Sequence, residues 1–123
     1  SIRTEGESRG KSLNTGRLRG HMTTVKFNAK EMTITAVDHA GSSAVCAGVS
    51  ALLGALAKSL DDSEYMLEDK AEIEFDEATA KISCCPKPEW KSFIMRSYWT
   101  ILEGIELIST KYPEACSLSI AEC

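Results

Sequence analysis

The chain has 123 residues, 43% of them apolar and 26% charged, with a formal net charge of −4. That is one domain by size, long enough to bury a hydrophobic core, and its acidic balance makes it a poor nucleic-acid binder. No signal peptide precedes the first apolar segment and no run of roughly 18 residues reads as apolar enough to span a bilayer, so a cytoplasmic protein with no membrane partner is expected.

Residues 1–21, SIRTEGESRGKSLNTGRLRGH, are polar, mixed and without apolar periodicity. They read as an expression leader, since His21-Met22 is what a cloning site at a start codon translates to. Five of the 14 basic and two of the 18 acidic residues lie there, so residues 22–123, the expected domain, carry nine against sixteen, a formal −7. His39 is then the only histidine of that body. Five cysteines, an odd number, without a secretory signal argue against a disulfide framework.

In Thr23–Asn28, Val25 and Phe27 alternate with Thr24 and Lys26; in Met32–Val37, Met32, Ile34 and Ala36 alternate with Thr33, Thr35 and Val37. With Asn28-Ala29-Lys30-Glu31 between them, these segments predict a hairpin whose second strand delivers His39. Gly41 suits a sharp turn, and Ser42 and Ser43 are good N-cap residues. A helix is expected from about Ala44 to Leu60, with Val45, Val49, Leu52, Leu56 and Leu60 on one face. Ala47, Gly48, Ala51, Gly54 and Ala55 keep much of the rest small, which suits close packing on a sheet.

Asp61 to Glu77 holds nine acids and one lysine. A solvated acidic face explains such a run, and attraction of a basic peptide is the functional alternative. Within it, Ile73 and Phe75 are the apolar teeth of a strand. Asp76-Glu77-Ala78 turns the chain into Thr79–Cys85, where Ala80, Ile82 and Cys84 share a face. Cys84, Cys85, Cys116 and Cys123 lack CxxC spacing, so no metal site is expected and the strand cysteines read as buried apolar residues.

Pro86-Lys87-Pro88 breaks the strand, and Pro88 opens a helix with Glu89 near its positive end. From Trp90 to Lys111, Ile94, Tyr98, Ile101, Ile105 and Ile108 form a stripe that Phe93, Trp99 and Leu102 widen. Apolar width beyond one sheet face predicts a homodimer. Tyr112-Pro113 stops the helix, and Ala115–Ala121 alternates as a last strand. The order is ββαββαβ, an α+β fold with two helices packed on a mixed sheet.

The chemistry gathers around Val37–Leu60. Cys46 falls in the first turn of the first helix, where unpaired N–H groups and the helix dipole favour an ionised sulfur. His39 stands across a short loop to hold the proton, and the same N–H groups suit an oxyanion. These residues make a cysteine-hydrolase pair; equally, they describe a small buried cysteine with a bystander histidine. Ser50, one turn after Cys46, either lines a substrate groove or bonds back to its own helix.

The runs His39-Ala40-Gly41 and Val45-Cys46-Ala47-Gly48-Val49-Ser50-Ala51-Leu52 resemble the signature of the ribosomal-processing cysteine proteases of the Prp family, in which Gly-His-Ala on a strand is followed by a loop and by Val-Cys-Ala-x-Val-Ser-Ala-Leu opening a helix. The resemblance extends in element order from Met22 to Cys123. It implies a cysteine endopeptidase with Cys46 and His39 as the catalytic pair and no cofactor. Gly41, Ser43 and Ser50 would lie along the substrate. In that family the reaction trims the N-terminal extension of a large-subunit ribosomal protein, and phage relatives act where a capsid or scaffold protein is the substrate. The implied partner is therefore a peptide segment.

Three departures stand out. The family's loop between His and Cys is longer and glycine-rich, Ser43 occupies the position of an Asp, and Asp38 replaces the Gly before the histidine. Neighbours on a strand point to opposite faces, so Asp38 is expected to point away from His39 and not to substitute for that Asp. The short loop implies a different substrate or a site that stands open. Two rival readings follow: a homodimeric peptide-binding module of the same fold without turnover, and another thiol enzyme of acyl-transfer or redox type.

Overall fold

The computed structural model describes residues 22–38 and 43–122. The leader expected over residues 1–21, the turn expected over residues 39–42 and Cys123 lie outside the described residues. Its elements are β1 (Thr23–Asn28), β2 (Thr33–Val37), α1 (Ser43–Asp62), β3 (Glu72–Phe75), β4 (Thr79–Ser83), α2 (Lys91–Lys111) and β5 (Cys116–Ala121). Short 3₁₀ turns at Glu64–Met66 and Pro88–Trp90 lead into β3 and α2. The expected ββαββαβ order and α+β class are what the chain adopts.

The five strands lie in the order β3-β4-β2-β1-β5. All neighbours are antiparallel except β1 and β5, which run parallel with Thr23 opposite Cys116 and Val25 opposite Leu118. Alternation then sorts the side chains. Val25, Phe27, Ile34, Ala36 and Ile82 are buried, while Lys26, Val37 and Lys81 are exposed on the other face. Both helices cover the buried face. Phe27 marks the contact with α2, its ring 5.4 Å from Tyr98 and 5.6 Å from Trp99.

The hairpin turn is closed by Asn28, whose Oδ1 accepts the Glu31 N–H at 3.1 Å. Met32 takes a left-handed backbone (φ 50°), so β2 begins at Thr33 rather than Met32, although the Met32 side chain still enters the core. The helix faces differ from expectation in detail. In α1 the core takes Val45, Val49, Leu53, Leu56, Ala57 and Leu60. Leu52 is only half-buried because it turns toward α2, where a Cβ on Gly104 would stand 3.0 Å from its methyls. In α2 the core takes Ile94, Tyr98, Leu102 and Ile105; Ile101 and Ile108 are half-buried, and Phe93 is 56% exposed.

Two further expectations are corrected. At 20 residues, α1 is long and apolar enough to cross a membrane, because Ala and Gly fill the positions where a surface helix carries charges. In this fold its Val45–Leu60 stripe packs in the core instead. Cys116 is buried, but β4 ends at Ser83, leaving Cys84 half-buried and Cys85 exposed. Their loop is pinned to the segment after α1: the Glu68 N–H donates to the Cys85 carbonyl, and the Lys87 N–H to the Met66 carbonyl, both at 2.8 Å.

Candidate functional site

The strand order sets the site. β2 and β4 are neighbours, and α1 starts close after β2 ends, so the first turn of α1 meets the β3–β4 turn across one end of the sheet. A cleft enclosing about 90 Å³ opens there. Its walls include Cys46, Val49, Ser50 and Leu53 from α1, Ala36 and Asp38 from the end of β2, and Phe75 to Ala80 from the β3–β4 hairpin. Cys46 is half-buried and Ser50 is exposed on the same wall one helical turn later. Ala36, Ala78 and Ala80 keep the opposing wall low.

The backbone that leads toward His39 is held on two sides. Asp38 donates its N–H to the Ala78 carbonyl at 2.8 Å, and its own carbonyl accepts the Thr23 hydroxyl at 3.2 Å. Thr23 is buried, 4% exposed, and this bond satisfies its hydroxyl. Asp38 itself has φ 72°, the left-handed region that Gly enters freely and Asp tolerates better than most residues. The strand ends at Val37, so strand alternation does not set the direction of Asp38, which belongs to the cleft wall.

Of the predicted site residues, Cys46 and Ser50 come together in the cleft. Ser43 is exposed at the start of α1 and does not line it, and His39 and Gly41 lie outside the described residues. Sequence reasoning missed Thr23, Asp38, Phe75, Asp76, Glu77 and Thr79. The acidic run ending at Glu77 was the available signal for two of them. Among the described lining residues Asp38, Asp76 and Glu77 are acidic, and none is Lys or Arg.

The other thiols have a different setting. Cys84 lies just past the end of β4 opposite to the one that meets the cleft, and its sulfur accepts the Tyr98 hydroxyl at 3.5 Å. Burial pushes the Cys84 thiol up, with the Cys85 charge adding to this and the Tyr98 bond opposing it. Burial, then the bond to Cys84, drives the Tyr98 phenol up as well. Burial alone raises Cys116. Burial favours the neutral form of each of these groups.

No family model matches the chain, and no curated protein matches it significantly by sequence. Solved structures do match. The chain is similar to SMU.848 from Streptococcus mutans at 24% identity and TM-score 0.65, covering 85% of this chain and 98% of that one. It is similar to the essential ribosomal processing protease Prp from S. aureus in complex with a covalently linked product peptide, at 21% identity and TM-score 0.63, covering 80% and 99%. The same protease in complex with a substrate peptide matches at 19% identity and TM-score 0.64, again covering 80% and 99%. The chain therefore has the fold of these solved structures over nearly their whole length.

Proposed function

We propose that this protein is a thiol-dependent endopeptidase, with Cys46 as nucleophile and His39 as general base and then general acid. The observation that carries this reading is the place of Cys46, in the first turn of a helix at the wall of an open cleft, on a fold shared with a protease solved with bound peptides. His39 takes the thiol proton as the sulfur attacks the scissile carbonyl. The N–H groups at the start of α1 stabilise the oxyanion, and His39 returns the proton to the departing amine. A water molecule, deprotonated by His39, then cleaves the thioester to release the acid and restore the thiol. Ser50 borders the bound peptide.

The substrate proposed is the N-terminal extension of a large-subunit ribosomal protein or a segment of a phage capsid or scaffold protein, met in the cytoplasm by a homodimer. A silent peptide-binding module is the second reading, favoured by Ser43 where the family pattern has Asp. Two measurements decide. Iodoacetamide at neutral pH should alkylate Cys46 well before Cys84 and Cys116, which burial holds as thiols, and His39→Ala should slow Cys46 alone. Incubation with ribosomal N-terminal peptides should give a product that Cys46→Ala does not. Binding without any product supports the module instead, and a Cys46 as slow as Cys116 removes the nucleophile.

A further inference from the structure

On the side away from β5 the sheet ends at β3, which among the described strands is bonded only to β4. The ladder fixes which groups of β3 are open. Asp76 donates its N–H to the Thr79 carbonyl at 2.8 Å, and Glu74 opposite Lys81 and Glu72 opposite Ser83 continue the same alternate pairs. In an antiparallel ladder those residues bond inward, so Ile73 and Phe75 turn their N–H and C=O groups to the open edge. Phe75 is the last residue of β3 and also lines the Cys46 cleft, followed without a break by Asp76, Glu77 and Ala78.

We infer that this edge is the substrate's docking strand: an extended peptide bearing Lys or Arg pairs its backbone with Ile73 and Phe75 and runs over the Asp76–Ala78 turn into the Cys46 cleft. This rests on the proposed proteolysis and says how and by what chemistry the substrate is recognised. Three observations choose the occupant. The open backbone groups ask for a strand and not for a helix or a small molecule. The edge runs directly into the cleft, so a bound chain is delivered to the sulfur. The charge is one-sided, with Glu72, Glu74, Asp76 and Glu77 within six residues and Lys81 as the base across the ladder. A second copy of β3 is a poor occupant, since antiparallel self-pairing would bring these acids against the same acids of the partner. A cationic chain meets the same charges favourably.

The test uses two pools of short peptides with the same mixed centres, one flanked by lysines and one by glutamates. Cleavage is followed by mass spectrometry with the full chain. Backbone amide exchange at Ile73 and Phe75 is followed in Cys46→Ala, which keeps the peptide intact. The expected result is cleavage of the lysine pool about tenfold faster at low salt, a preference that shrinks as salt rises, with new protection at both amides. Glu72→Gln with Glu74→Gln, both at exposed positions, should lower the preference toward equal cleavage of the two pools. Cleavage of both pools alike, or cleavage with no protection at Ile73 and Phe75, overturns the docking strand and leaves the protease reading standing. Protection by the lysine pool with no cleavage upholds the strand and overturns the protease. If neither pool is cleaved nor protects, both fall.

Discussion

Cys46 and Cys116 are the same residue in opposite settings. Cys46 sits where a helix begins and a cleft opens; Cys116 sits at 1% exposure beside β1, with its thiol pushed up by burial. A thiol whose folded pKa is raised contributes stability that is complete below its unfolded pKa and is lost as pH rises beyond it, because only the unfolded chain gives up the proton. Stability should therefore hold to about pH 8.5 and then fall. Cys116→Ala should cost about 1 kcal/mol at neutral pH by removing a packed atom, and should make the alkaline fall shallower. Urea unfolding between neutral and alkaline pH checks both, and an unchanged alkaline slope would mean that Cys116 takes no part. The sequence reads Cys84, Cys85 and Cys116 alike as buried strand cysteines, which holds for Cys116; only strand ends and packing separate the other two from it.

At the scale of elements, α1 and α2 meet through small residues, and the glycines are not equivalent. Gly54 faces open space, so Gly54→Ala should stabilise by about 0.5–1 kcal/mol through helix propensity alone. At Gly104 even a Cβ stands 3.0 Å from both Leu52 methyls, so Gly104→Val should destabilise by about 1–3 kcal/mol through overpacking. Thermal melts of the two variants should move in opposite directions; Gly104→Val melting as high as the natural chain would mean that the helices part easily. The helical period marked a stripe in each sequence. It did not say whether Leu52 or Leu53 enters the core, because neighbours about 100° apart are divided only by where the second helix lies.

For the molecule as a whole, α2 presents Phe93 at 56% and Leu107 at 73% exposure to either side of the Arg96–Glu103 ion pair. If this face is the proposed homodimer contact, sedimentation should show a concentration-dependent dimer that Leu107→Lys weakens without changing the fold, seen as an unaltered circular dichroism spectrum. A monomer at every concentration would leave the width of the α2 stripe to packing within one chain. The ion pair itself is solvent-exposed and should contribute little either way.

The sequence by itself determined the elements and their order, because alternation in β1, β2 and β5 and helical spacing in α1 and α2 are local properties that survive in any context. It also placed Cys46 in the first turn of α1, since helical spacing from Val45 onward is read locally. The cleft was decided by tertiary structure alone. Placing β4 beside β2 carries Phe75 to Ala80 some thirty residues along the chain to face Cys46, and it holds Asp38 in a left-handed turn between Ala78 and Thr23. Strand order depends on which edges find each other, a long-range choice that no local pattern encodes.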